Sequence, residues 1–138
     1  MISGLHHFGL TVRDAAISAA WYEDVLGFHR EGVFEAPDGS RRKVFLRHEG
    51  LQVRLGLTQH RDGPGERFDE RRVGLDHLAF AVATRAGLDA WAGRLAAAAV
   101  AHSPVTAANS IEGAAVLVFR DPDGIQLELF FDPSAQEL

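Results

Sequence analysis

The chain has 138 residues, enough for one compact domain or for two very small modules sharing a core. Hydrophobic residues make up 46% and charged residues 24%, an ordinary globular balance, and a net charge of -5 with dispersed arginines argues against a nucleic-acid partner. The absence of cysteine excludes disulfides, thiolate metal sites and cysteine nucleophiles. No apolar run is long enough to span a bilayer, and the N-terminus lacks a signal-peptide pattern, so the cytoplasm is the expected location, without a membrane partner.

In chain order, Leu5 to Val12 alternates, with Phe8, Leu10 and Val12 on one face and His7, Gly9 and Thr11 on the other. Period two predicts a strand. Asp14 follows as a helix N-cap, and Ile17, Trp21 and Val25 form one apolar helical stripe. Phe28 to Ala36 then predicts a strand, Pro37-Asp38-Gly39 a tight turn, and Lys43 to His48 and Leu51 to Thr58 two further strands. Gln59 to Val73, rich in charge and glycine, predicts a solvated linker, with a flap over a pocket as the alternative.

The same order then recurs. Leu75 to Val82 repeats the first strand, with His77, Ala79 and Ala81 where His7, Gly9 and Thr11 stood. Thr84 takes the place of Asp14, and Leu88, Trp91 and Leu95 form the second stripe, with Trp91 matching Trp21. His102 to Ala107, Ala114 to Phe119 and Ile125 to Phe131 predict strands, the last two joined by the turn Asp121-Pro122-Asp123-Gly124. Matching histidine, valine, cap and tryptophan at one offset indicate a duplication. The expected fold class is α+β, two tandem βαβββ modules: about 4–58, a linker over 59–73, and about 74–132, within a single domain, 1–138.

Among seven histidines, His29, His48 and His60 carry no further signal. Alternation places His6 on the face opposite His7, so it is not expected to share a site. His102 could line a pocket or simply follow the helix. His7 and His77 differ because they occupy equivalent places in two copies, facing one cleft if the copies pack symmetrically. In the last strand Ile125, Leu127, Leu129 and Phe131 face the core, while Gln126, Glu128 and Phe130 face the other way. A carboxylate in so apolar a strand is costly unless it is paired or bound to a cation. Two imidazoles and one carboxylate leave open coordination positions, as used for Fe(II) and other divalent ions. The alternative is a Glu128 that hydrogen-bonds a histidine without metal.

At these residues the sequence resembles the vicinal oxygen chelate superfamily, which includes glyoxalase I, bleomycin-resistance proteins, fosfomycin-resistance transferases, methylmalonyl-CoA epimerase and extradiol dioxygenases. The marks are His7, Val12 and Asp14; Trp21-Tyr22 with Leu26-Gly27-Phe28; His77 and Val82; and the 121–124 turn leading to Glu128. The resemblance implies modules whose sheets form a cupped mixed sheet around a central cleft, with a divalent metal on His7, His77 and Glu128. Fe(II) comes first, with Mn, Zn, Ni or Co as alternatives. Substrates of the family chelate the metal through neighbouring oxygens.

A fourth ligand, usually a Glu or Gln on the first module's last strand, has no counterpart. One alignment puts Gly56 there and another Arg54, while Gln52 shares their face and could substitute only if the register slips. A three-ligand site resembles the dioxygenases and the fosfomycin-resistance transferases more than glyoxalase I. Thr11, Arg54, His102 and Phe130 are the candidate substrate-binding residues, and no catalytic acid or base is assigned; Tyr22 is expected to pack rather than to act as an acid. The expected activity is metal-dependent and dioxygenase-like, on a small oxygen-rich substrate. An isomerase, lyase or thiol transferase of the same fold is one alternative, and a drug-sequestering protein of the bleomycin-resistance type another. By resemblance the chain is expected to form a homodimer, with the cleft built either within one chain or between two.

Overall fold

The computed structural model describes residues 1–137, with side chains to 135. The chain folds as two compact units, Met1–Arg67 and a second beginning at Phe68. The first runs β1 (His7–Thr11), α1 (Ala15–Leu26), β2 (His29–Glu35), β3 (Arg41–Arg47) and β4 (Arg54–His60). Its four-stranded sheet has the order β1-β4-β3-β2, with β1 parallel to β4 and the other pairs antiparallel. The second runs β5 (Leu78–Ala81), α2 (Arg85–Ala97), β6 (Thr106–Ala107), β7 (Ala115–Arg120) and β8 (Gln126–Phe131), in the order β5-β8-β7-β6. There too the first strand is parallel to the last. The α+β class and the tandem βαβββ order both hold.

Each helix starts at its predicted cap. Asp14 Oδ1 accepts from the backbone N–H of Ala16 and Ile17, both at 3.0 Å, and Thr84 Oγ1 accepts from Gly87 N–H at 2.9 Å. Gly27 ends α1 at φ 77°, a left-handed conformation that glycine takes without strain. In the first unit, Leu10, Val44, Leu46, Leu55 and Leu57 lie on one face of the sheet and are buried. The α1 face that buries with them is Ala15, Ser18, Ala19, Tyr22 and Leu26, not the predicted stripe. Ile17 is 61% exposed. Small residues at 15, 18 and 19 let the backbone approach the sheet closely, so the helix turns that face inward and seats Tyr22 in the core against Phe28. In the second unit Leu88 and Leu95 of α2 are buried, as are Leu117, Phe119, Leu127 and Leu129.

Several strand boundaries differ from expectation. β4 begins at Arg54 rather than Leu51, because the chain is still turning there: Leu51 N–H donates to His48 O and Gly50 N–H to His48 Nδ1, both at 3.0 Å. β4 instead continues through Gln59 and His60, and Arg61 N–H donates to Ser40 O just beyond the Arg41–His60 end of the β3–β4 pair. The strand expected over 102–107 shrinks to Thr106–Ala107, with His102 making a lone bridge to Phe119. Pro104 lies between them and has no N–H for the ladder. Part of the expected linker is structured in the second unit: Phe68 N–H donates to Asp123 O at 2.9 Å, and Glu70 pairs with Arg120.

Candidate metal centre

His7 opens β1, and the exposed face of that strand carries His7, Gly9 and Thr11, as alternation predicts. His77 lies one residue before β5. Glu128 sits mid-strand in β8, opposite Ala79 on β5 and Val118 on β7. Gln126, Glu128 and Phe130 are half-buried on one face, while Leu127 and Leu129 are buried on the other. The turn before β8 is tightly held: Asp121 Oδ1 accepts from Asp123 N–H and Ile125 N–H, both at 2.9 Å, and Gly124 takes φ 81°. That closure sets the phase of β8 and hence the face on which Glu128 emerges.

The second unit brings two of the three predicted ligands together. His77 Nε2 lies 3.7 Å from Glu128 Oε2, and the Glu128 side chain is only 15% exposed. Among the described residues Glu128 accepts no hydrogen bond, so its charge is met by His77 alone. On its other side, His77 Nδ1–H donates to Asp76 Oδ1 at 2.7 Å. The hydrogen bond to Asp76 raises the His77 pKa above its usual 6.5; partial burial opposes the rise, and the charges of Glu128 and Asp76 add to it. The third predicted ligand, His7, belongs to the first unit. Among the described residues, no group of three or more His, Cys, Asp or Glu side chains is arranged to hold a metal ion.

The donor chemistry of the second unit nevertheless fits a divalent cation. It comprises a half-buried carboxylate without a hydrogen-bond donor and an imidazole whose Nδ1 proton is engaged, leaving Nε2 as the lone pair on the Glu128 side.

The register settles which residue stands at the fourth position. Gly9 lies opposite Gly56 in the β1–β4 pair, and Ala79 lies opposite Glu128 in β5–β8. Gly9 and Ala79 are equivalent in the repeat, so Gly56 occupies the place of Glu128. Arg54 lies opposite His7, and Gln52 falls before β4.

Of the candidate substrate contacts, Thr11 is exposed beside Thr58, and Phe130 is half-buried on the face of Glu128. Arg54 is already committed: its guanidinium binds Glu31 through both Nε and Nη2, the latter at 3.1 Å. Glu31 lies at the β-bulge between Arg30 and Gly32, on a strand separated from β4 by β3. The Arg54 guanidinium is thus held in an intramolecular ion pair. His102 bridges to Phe119, a core residue, so it falls on the opposite face from Glu128, with Nδ1 at 2.7 Å from Ser103 O.

His6 departs from expectation in the other direction. It lies outside β1, so strand alternation does not govern its side chain. Its Nδ1 comes 2.7 Å from His7 Nδ1, the rings edge to face at 5.0 Å. Neither His6 nor Asp76 stands out in the sequence as a partner of a repeat histidine. The available signal was positional, since each immediately precedes a repeat histidine.

Two four-stranded mixed sheets of identical connectivity, with His7 opening the first strand of one and His77 just preceding the first strand of the other, define a duplicated βαβββ protein. A sequence profile of the Glyoxalase/Bleomycin resistance protein/Dioxygenase superfamily matches residues 4–129, and the chain belongs to that superfamily. The crystal structure of a glyoxylase/bleomycin resistance protein/dioxygenase domain from Frankia sp. EAN1pec is similar over 96% of this chain and 99% of that one, at 33% identity and a TM-score of 0.83. The genomically encoded fosfomycin resistance protein FosX from Listeria monocytogenes is similar over 100% of both chains, at 22% identity and a TM-score of 0.73. The trypanothione-dependent glyoxalase I of Leishmania major is similar over 99% of this chain and 91% of that one, at 20% identity and a TM-score of 0.73. At those identities the last two likenesses concern the fold alone. A comparison with curated protein sequences finds no match. Among the described residues, no helix is long and apolar enough to cross a membrane.

Proposed function

We propose that the protein is a metal-dependent enzyme acting on a small oxygen-rich substrate, with His7, His77 and Glu128 as ligands of one divalent ion. The observation that carries this reading is the approach of His77 Nε2 to the otherwise unbonded Glu128 carboxylate, at 3.7 Å. These three side chains would hold the ion, whose contribution when bound would be Lewis-acid polarisation of substrate oxygens. Gly56 at the fourth position supports a three-ligand site with open coordination positions. Such a site favours dioxygenase-like chemistry with Fe(II), ahead of isomerase, lyase or thiol-transfer chemistry with Mn, Zn, Ni or Co.

The chain's own contributions are binding and orientation. Thr11 and Phe130 line the two faces that carry the ligands, one offering a hydroxyl and the other an apolar ring. Family membership supports a homodimer, with each centre assembled within one chain or between two.

The test is elemental analysis of protein purified anaerobically without chelator, beside His7→Ala, His77→Ala and Glu128→Ala. Near-stoichiometric iron lost in all three variants, with folding intact, supports the dioxygenase reading. Another divalent metal directs it to Lewis-acid chemistry. Metal that survives all three changes refutes the ligand set. Failure to load any ion, even on reconstitution, favours a ligand-sequestering protein instead.

A further inference from the structure

The two repeat histidines share a feature beyond their equivalent places in the repeat: each has its Nδ1 atom occupied by the side chain of the residue before it. In the second unit the partner is Asp76 Oδ1 at 2.7 Å, and in the first it is His6 Nδ1 at 2.7 Å. Residues 6 and 76 are related by the same offset as His7 and His77, so the duplication preserves the contact while the partner's chemistry differs.

The direction of the second-unit bond is forced. An ionised carboxylate has no proton to give, so His77 Nδ1 donates, and the neutral ring then carries its lone pair on Nε2. That atom is the one facing Glu128 at 3.7 Å. In the first unit either ring could donate. If His7 donates, His6 accepts on Nδ1 and His7 Nε2 is bare; if His6 donates, His7 keeps its proton on Nε2 and has no lone pair free there. Only the first arrangement makes the two histidines chemically equivalent.

The geometry points to His6 and Asp76 as positioning residues that set the tautomers of His7 and His77, so that both rings present a bare Nε2 to the ion proposed above, a role that rests on that ligand assignment. Each acts through its neighbouring histidine, by removing the rotational and tautomeric choice that an exposed imidazole otherwise keeps. Their effects are unequal. The Asp76 carboxylate makes a charge-assisted bond, whereas His6 offers a neutral nitrogen. Loss of Asp76 therefore weakens metal binding more than loss of His6.

The experiment is two-bond proton–nitrogen correlation NMR of the imidazoles in the full, metal-free chain at alkaline pH, paired with zinc titration. In the parent protein His7 and His77 should both carry the proton on Nδ1. His6→Phe should move only His7 towards the Nε2–H form, and Asp76→Ala only His77. Zinc affinity should fall by about tenfold to hundredfold, the usual effect of removing such a partner. His6→Asn and Asp76→Asn, which keep an acceptor oxygen, should restore the Nδ1–H form and most of the affinity. A parent spectrum with Nε2–H at either histidine overturns the assignment, as do Phe and Ala variants with unchanged tautomers. Nδ1–H tautomers in a parent protein that binds no zinc would uphold the tautomer assignment and sink the metal reading instead.

Discussion

Gly56 and Glu128 occupy equivalent places in the two sheets, one opposite Gly9 and the other opposite Ala79. The duplication therefore carries a carboxylate on one side only. A Cβ at Gly56 would meet the Lys43 side chain at 3.4 Å, an ordinary contact with a flexible group, and the glycine has no left-handed φ. Gly56→Ala should raise stability by about 0.5–1 kcal/mol, since mid-strand glycine is costly, with metal content unchanged. Gly56→Glu should leave the fold intact and slow metal loss to a chelator by supplying a fourth donor. Equal chelator rates for parent and Gly56→Glu would show that position 56 does not face the ion.

The packing of α1 separates two neighbouring residues sharply. Tyr22 is fully buried against Phe28, while Ile17 is mostly exposed. Tyr22→Ala should cost about 3–5 kcal/mol in chemical denaturation, the range for losing a large core ring. Ile17→Ala should stay within about 0.5 kcal/mol. Comparable losses would mean that the helix is rotated from the face described.

Asp14 holds two backbone N–H groups at the start of α1, whereas Thr84 holds one at the start of α2. Asp14→Ala should cost about 1–2 kcal/mol, and Thr84→Ala about 0.5–1 kcal/mol, by urea denaturation. Asn at position 14 should recover most of the loss. A larger effect at Thr84 would contradict the capping geometry.

Glu70 accepts from Arg120 at 2.7 and 3.1 Å, and this hydrogen-bonded pairing holds its pKa down at about 2, below the ordinary 4.5. A depressed carboxylate pKa contributes stability that is present above the ordinary value and lost as pH falls through the folded one. The contribution should therefore disappear between about pH 4.5 and pH 2. Because both side chains are partly exposed, added salt should shrink it. Glu70→Gln should flatten that part of the pH–stability curve. An unchanged curve would show that the pair contributes nothing.

The repeat, the strands and both caps were legible because they are local. Alternation at Phe8, Leu10 and Val12 reports which way a strand faces, and Asp14 and Thr84 satisfy N–H groups only two or three residues away. The face of Glu128 was readable for the same reason, since the Leu127 and Leu129 pattern alone assigns it. The α1 stripe was misread because the largest apolar residues are not those that allow the closest approach to the sheet. Alternation says nothing of His6, because the strand that enforces it begins at His7.

What the sequence determined by itself was the duplicated βαβββ order and the pairing of His7 with His77 as equivalent residues, both consequences of periodicity and offset. Only the tertiary structure decided which residue stands at the fourth position, because that depends on the hydrogen-bond register between β1 and β4, strands separated by more than forty residues. It also pairs Arg54 with Glu31 of β2, and no local pattern announces an ion pair across 23 residues of chain. Register and long-range charge pairing are set by how whole elements pack, which is why neither could be read from neighbouring residues.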